Sequence, residues 1–184
     1  MHITAIGISH KTAPIDIREK FYLDETRRRL LLSELKSDPA VIEAIVLSTC
    51  NRTEIYAHTI VPDAAGILLQ TLFKVKFISF SSAAAEELTK YFYTYKDRDA
   101  VSHLLRVASG LESVVLGENQ ILGQVKTAVD SAREEGVLGK TFNILAAAAI
   151  RTGKKARHET AVGAGGVSVS WAAVNAAERM AGTL

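Results

Sequence analysis

Cysteine is nearly missing from this 184-residue sequence, which holds one, Cys50. A lone thiol excludes an intramolecular disulfide and a cysteine-based zinc site, and it fits a reducing compartment such as the cytosol. Long apolar runs are lacking too. The longest, ILAAAAI at 144–150, falls far short of the ~20 residues that span a bilayer. The opening HITAIGISH has neither the basic start nor the long apolar stretch of a secretory signal. Charge of one sign is scarce as well: the formal net charge is +2, so a case for nucleic-acid binding needs local clustering. No dinucleotide fingerprint is present, because Gly117, Gly123 and the GAGG of 163–166 follow no strand. These absences predict a soluble, cytoplasmic protein with no membrane partner.

What is there is ordinary globular composition, 48% hydrophobic and 23% charged, enough for a core of useful size. HITAIGIS (2–9) alternates as a strand, and Pro14 fixes the exit from the SHKTAP loop behind it. In residues 24–38, Leu30, Leu31 and Leu35 stand at helical spacing behind Asp24 as N-cap, and Pro39 closes the helix. AVIEAIVLST (40–49) and RTEIYAHTIV (52–61) are rich in β-branched and aromatic residues. They flank Cys50-Asn51, which predicts a hairpin or sharp bend there, with Asn tolerating positive φ. Helical segments at 63–75 and 83–92 and a short strand in YFYTYK complete residues 1–96. The expected fold of that part is an α+β sandwich, an antiparallel sheet with helices on one face.

From residue 97 the period is helical. DRDAVSHLLRVASG has Asp97 or Asp99 as cap and Gly110 as stop, and NQILGQVKTAVDSAREEG ends at Gly136. TFNILAAAAIRTGKKARHET is a third helix, and after a GAGG hinge VSVSWAAVNAAERMAG is a fourth.

Several groups of residues carry chemistry, each with a plain structural alternative. Cys50 sits where an apolar strand gives way to a polar turn, with Arg52 two positions on. Cationic groups and free amides activate a thiol, whereas a free cysteine is otherwise a small packing residue. The spacing leaves both open. His103 and Arg106 share a helix face with Ser109 and Ser113 nearby, and a helical histidine is also commonly a surface or capping residue. In LGENQILGQ (116–124), Gln120 and Gln124 project together, one turn apart. Glu118 suits the start of that helix. RTGKKARH (151–158) crowds cations that suit phosphates or, equally, a helix C-terminus.

Taken together, GISHKTAP, LSTCNRTEIY, HLLRVASGLESVVLGENQILGQVK and AVGAGGVSVSWAAV resemble the signature blocks of the glutamyl-tRNA reductases, in the same order and over the whole chain. The resemblance implies a ferredoxin-like catalytic region at 1–96, its helical part and connector at 97–160, and the start of an NADPH-binding domain at 161–184. It implies that Cys50 attacks the ester of glutamyl-tRNA in tetrapyrrole (heme) biosynthesis and holds the glutamyl group as a thioester. NADPH then reduces the thioester to glutamate-1-semialdehyde. Arg52 would grip the glutamate carboxylate, as suits a guanidinium fork. Thr49 and Asn51 complete the substrate-binding run with Cys50, and Ser113, Glu118, Asn119, Gln120 and Gln124 line the glutamyl pocket. Glu118 would meet the substrate ammonium, and His103 would orient the leaving group or relay a proton.

The family continues into a Rossmann domain and a dimerisation region, and this chain stops at ERMAGTL. The expectation is therefore a chain that forms the thioester without reducing it, from a full-length homodimer whose partners are glutamyl-tRNA and glutamate-1-semialdehyde aminomutase. No DNA enters this reading. The alternative is a non-catalytic tRNA-binding or regulatory module of the same fold, against which the intact Cys50, Arg52 and His103 speak.

Overall fold

The structure is a computed structural model that describes residues 2–77, 82–162, 174 and 177–182. The chain runs β1 (His2–Ser9), α1 (Ile15–Phe21), α2 (Glu25–Ser37), β2 (Val41–Thr49) and β3 (Arg52–Thr59). Then follow α3 (Ala65–Lys76), α4 (Ser82–Thr89), β4 (Tyr93–Lys96), α5 (Asp97–Ala108), α6 (Gln120–Glu134) and α7 (Lys140–Glu159). The sheet order is β2-β3-β1-β4 and every pairing is antiparallel. That order is the ferredoxin-like α+β arrangement expected for residues 1–96. The expected GAGG hinge and most of the fourth helix lie outside the described residues, although 174 and 177–181 are helical.

The strands pair Ser9 with Arg52, Gly7 with Glu54 and Ala5 with Tyr56, and on the far side Gly7 with Tyr93. Residues two apart share a face, so Arg52, Glu54, Tyr56 and His58 point one way and Thr53, Ile55 and Ala57 the other. The second set faces α1 to α3: the Thr53 hydroxyl donates to Phe21 O at 3.0 Å, and the amide of Leu23 donates to Ser48 Oγ at 2.9 Å. The first set faces α5, through His103 against Glu54 at 2.9 Å. The helices after residue 97 thus cover the second face of the sheet. The α6–α7 connection extends the β2 edge, where the amide of Ala44 donates to Val137 O at 3.1 Å. One continuous core joins Ile6, Phe21 and Leu35 to Leu104, Val125 and Phe142.

Glu43 ties this second layer down. Its buried carboxylate accepts the amides of Gly139 (3.1 Å), Thr141 (3.1 Å) and Phe142 (2.6 Å) at the start of α7, with His58 at 3.2 Å. A carboxylate on the first-turn amides of a helix is stabilised by hydrogen bonds and dipole together.

Asp24 caps α2 as expected, accepting from the Arg27 amide at 2.8 Å. Three local expectations are corrected. A helix, α1, fills part of the stretch between Pro14 and Asp24, where none was expected. No side chain caps α5; Asp97 takes a positive φ of 46° and its Oδ1 accepts the amide of Ile3 at 3.0 Å, which ties α5 to β1. Asn51 does not adopt positive φ; Asp97 is the non-glycine residue that does among those described.

Candidate active site

β2 ends at Thr49 and β3 begins at Arg52, and these two pair, leaving Cys50 and Asn51 as a two-residue turn. The turn is held from within and from both sides. Thr49 Oγ1 accepts the amides of Asn51 at 3.1 Å and Arg52 at 3.2 Å. The amide of His10, in the loop after β1, donates to Asn51 O at 3.0 Å. On the other side Ser48 Oγ and Thr53 Oγ1 lie 3.1 Å apart and anchor the end of α1 through the bonds given above. Cys50 is exposed on this frame. It opens into a cavity of about 550 Å³ shared with Ser48, Thr49 and Gln124, with Ile15, Glu19 and Tyr22 of the α1 region completing the lining.

Directly beneath, on the α5 face, lies a buried polar cluster. Glu54, 0% exposed, accepts from Arg52 Nη1 at 3.0 Å, the Tyr56 hydroxyl at 2.8 Å, the Tyr93 hydroxyl and His103 Nε2 at 2.9 Å. Burial alone pushes the Glu54 carboxyl up; the Arg52 guanidinium and the His103 and Tyr93 contacts outweigh it and hold it at about 2. Burial and the same carboxylate push the Tyr93 and Tyr56 hydroxyls up. Gly7 makes the Tyr93 contact possible: a Cβ there would stand 2.7 Å from the Tyr93 ring, which lies across β1 to reach Glu54.

A second cavity, about 450 Å³, is lined by His103 with Lys11, Tyr95, Asp99, Ser102, Arg106 and Glu112. Glu112 bonds both Lys11 and Arg106 (the latter at 2.6 Å), and its carbonyl accepts from Arg52 Nη2. Burial raises the Glu112 carboxyl, and the two cations bring it below the usual range.

The expected site residues are therefore divided. Thr49, Cys50 and Gln124 share the Cys50 cavity. His103 belongs to the other, and it is buried against the sheet at 8% exposure, where a more open helix face was expected. Arg52 was expected to grip a ligand carboxylate; its side chain is 2% exposed and its guanidinium is bonded to Glu54 and the Glu112 carbonyl. The physical reason is the acid two residues on, on the same strand face. Asn51 lies in the turn, Ser113 Oγ is buried with no hydrogen-bond partner among the described residues, and Glu118 is half-buried. Asn119 and Gln120 are exposed at the start of α6. Of the basic cluster, Arg157 serves the fold, donating to Ala108 O, Gly153 O and Glu118 O at 2.9–3.0 Å.

Glu54, Glu112, Tyr22 and Glu19 were not legible as site residues. Alternation along β3 carries the signal for Glu54, since it puts an acid beside Arg52; the other three depend on tertiary packing. Among the described residues no three His, Cys, Asp or Glu side chains are grouped to hold a metal, and no helix is long and apolar enough to cross a membrane.

Comparison with known proteins bears on what this arrangement does. The family model "Glutamyl-tRNAGlu reductase, N-terminal domain" matches residues 6–160. The glutamyl-tRNA reductase of Synechococcus sp. (strain CC9605) is 43% identical over 178 residues, covering 97% of this chain and 40% of the relative. That of Paenibacillus macerans is 40% identical over 183 residues, covering 100% of this chain and 41% of the relative. Among solved structures, glutamyl-tRNA reductase from Methanopyrus kandleri superposes with a TM-score of 0.71 at 33% identity, over 96% of this chain and 39% of that one. The chain thus spans about two fifths of the length of the curated relatives it matches.

Proposed function

Because the chain belongs to the glutamyl-tRNA reductase N-terminal domain family, we propose that it carries the acyl-transfer half of that reaction, with Cys50 as nucleophile. The Cys50 thiolate adds to the ester carbonyl of glutamyl-tRNA; the carbon–oxygen bond to the ribose breaks, the ribose oxygen takes a proton, and a glutamyl thioester remains on sulfur. The observation that carries this is the placement of Cys50: exposed, on a two-residue turn with bonds on three sides, and opening into a cavity.

Thr49 sets the turn, and Asn51 and Gln124 are proposed to hold the glutamyl group beside it. Ser113, Glu118, Asn119 and Gln120 are proposed as the neighbouring wall, an assignment supported by the unpartnered Ser113 hydroxyl. For Arg52 we propose a supporting role, as the cation that keeps Glu54 ionised beneath the turn. For His103 we propose proton relay: Nε2 is anchored on Glu54, which leaves Nδ1 for exchange at the second cavity.

Reduction of the thioester by NADPH to glutamate-1-semialdehyde, for tetrapyrrole synthesis, belongs to the same reading of the whole enzyme. A dinucleotide phosphate site needs a glycine-rich turn between a strand and a helix N-terminus, and no such turn exists among the described residues. The start of α7 already holds the Glu43 carboxylate. The residues described do not fit NADPH. A homodimeric, cytoplasmic full-length enzyme that passes its aldehyde to glutamate-1-semialdehyde aminomutase is proposed of the whole protein.

The test is transfer of labelled glutamate from charged tRNA to the chain, followed as protein-bound label that hydroxylamine releases. Label on the unmodified chain and none on Cys50→Ser is expected. Tight tRNA binding with no label on either favours the non-catalytic RNA-binding or regulatory reading.

A further inference from the structure

Tyr22 differs from its chain neighbours: it is 49% exposed, while Phe21 is at 0% and Leu23 at 1%. Its backbone is fixed by the Thr53 bond to Phe21 O, the Leu23 bond to Ser48 Oγ, and the Lys76 ammonium, which donates to Tyr22 O. Ser48 and Thr53 flank the Cys50 turn, so the exposed ring and the thiol ride on one rigid unit. A large ring on a fixed backbone offers a contact face with little ordering left to do.

Tyr22 and Ile15, the latter 62% exposed, give the Cys50 cavity an apolar wall. Its ≈ 550 Å³ is the size of pocket that buries a drug-sized ligand, more than a glutamyl group fills. An ester attacked at Cys50 sits on a ribose, and that ribose carries its nucleobase one bond away. Every base has a π face that stacks on an aromatic ring.

The charge around Tyr22 is mixed, with Glu19 in the cavity wall and Asp24 and Glu25 exposed nearby, and it includes two cations that can meet phosphates. Lys76 is bonded to the Tyr22 carbonyl, and Arg27 is exposed in the first turn of α2, its amide on the Asp24 cap. After burial, Arg27 is what most lowers the Lys76 ammonium, with Asp24 opposing. Cations for phosphates beside an aromatic ring for a base is the combination that holds single strands.

We propose that Tyr22 is the stacking platform for the terminal nucleobase of the RNA whose ester Cys50 attacks, with Arg27 and Lys76 meeting the phosphates that lead away from it. This rests on the acyl-transfer reading above. The test uses an uncharged RNA hairpin with a single-stranded 3′ tail, its last nucleotide either intact or abasic, titrated onto the 184-residue chain. Because no ester is present, a failure of stacking is read separately from a failure of acyl transfer. Loss of the terminal base weakens binding to the unmodified chain and to Tyr22→Phe by ~5- to 100-fold, and to Tyr22→Ala by less than about twofold. Arg27→Gln lowers the slope of log K against log salt by about 0.7. A base effect of the same size in the unmodified chain and in Tyr22→Ala, or no base effect in either, overturns the stacking; an unchanged salt slope removes the phosphate contact.

Discussion

Cys50 and Arg52 are two residues apart and stand in opposite surroundings. The thiol is exposed on a turn that projects past the last ladder pair, while Arg52 is buried and lies under α5 with Glu54, Tyr56 and His103. The turn is held by bonds between neutral groups; the cluster beneath is held by charge. This difference teaches how a small sheet separates reactivity from rigidity, with one end of a hairpin open and the next pleat filled by a satisfied network.

The largest effect that tests this contrast is expected at Glu54. Glu54→Ala leaves a buried guanidinium unpaired and removes the acceptor of two hydroxyls and an imidazole, which costs ~3–5 kcal/mol. Cys50→Ala, on the surface, should stay within ~0.5 kcal/mol. Urea denaturation of both variants measures the pair, and equal losses would erase the contrast. The same carboxylate gives a pH dependence. Its folded pKa of about 2 lies below the unfolded value of ~4.3. The stability it contributes is therefore complete above ~4.3 and lost as pH falls through about 2. Urea midpoints taken from pH 6 downward should fall in that window, and a flat profile would remove Glu54 from the account.

Gly7→Ala comes next. The added Cβ meets the Tyr93 ring at 2.7 Å, so the ring must leave or the strand must shift, at ~1–3 kcal/mol. In a Tyr93→Ala background most of that cost should vanish, because the two residues share one space. Undiminished cost in the double variant would place the strain elsewhere.

Which parts of this were legible in the sequence follows from the range of the forces involved. The hairpin around Cys50 was legible because β-branched runs and a polar break are local signals, whereas β1 pairs with β3 and β4 across long helical connections that carry no such local signal. α1 was not: its seven residues carry little periodicity, and Phe21 is held by Phe73, Phe77 and Phe92 from distant segments. The second face of the sheet was hidden because residues 52–57 are buried on both sides, so alternation of polar and apolar residues gave no contrast. At the site, the position of the thiol was legible as the end of a strand. The pairing of Arg52 with Glu54 was not read, although the spacing of two allowed it, since alternation along a strand buried on both faces does not show which side chains meet.

The smallest expected effect sharpens the contrast from the side of the turn. Thr49 Oγ1 accepts two amides, those of Asn51 and Arg52, so Thr49→Val removes both acceptors at nearly constant shape and costs about 1 kcal/mol. Under the acyl-transfer role proposed for Cys50, the effect on transfer should be larger than that figure suggests, because displacing a nucleophile by about 1 Å slows its reaction by up to ~100-fold. Thr49→Ser keeps the oxygen and should restore acyl transfer. If Thr49→Val instead lost several kcal/mol with little change in acyl transfer per folded molecule, the turn would belong to the rigid cluster beneath it. Open turn and filled pleat would then be one structural unit rather than two.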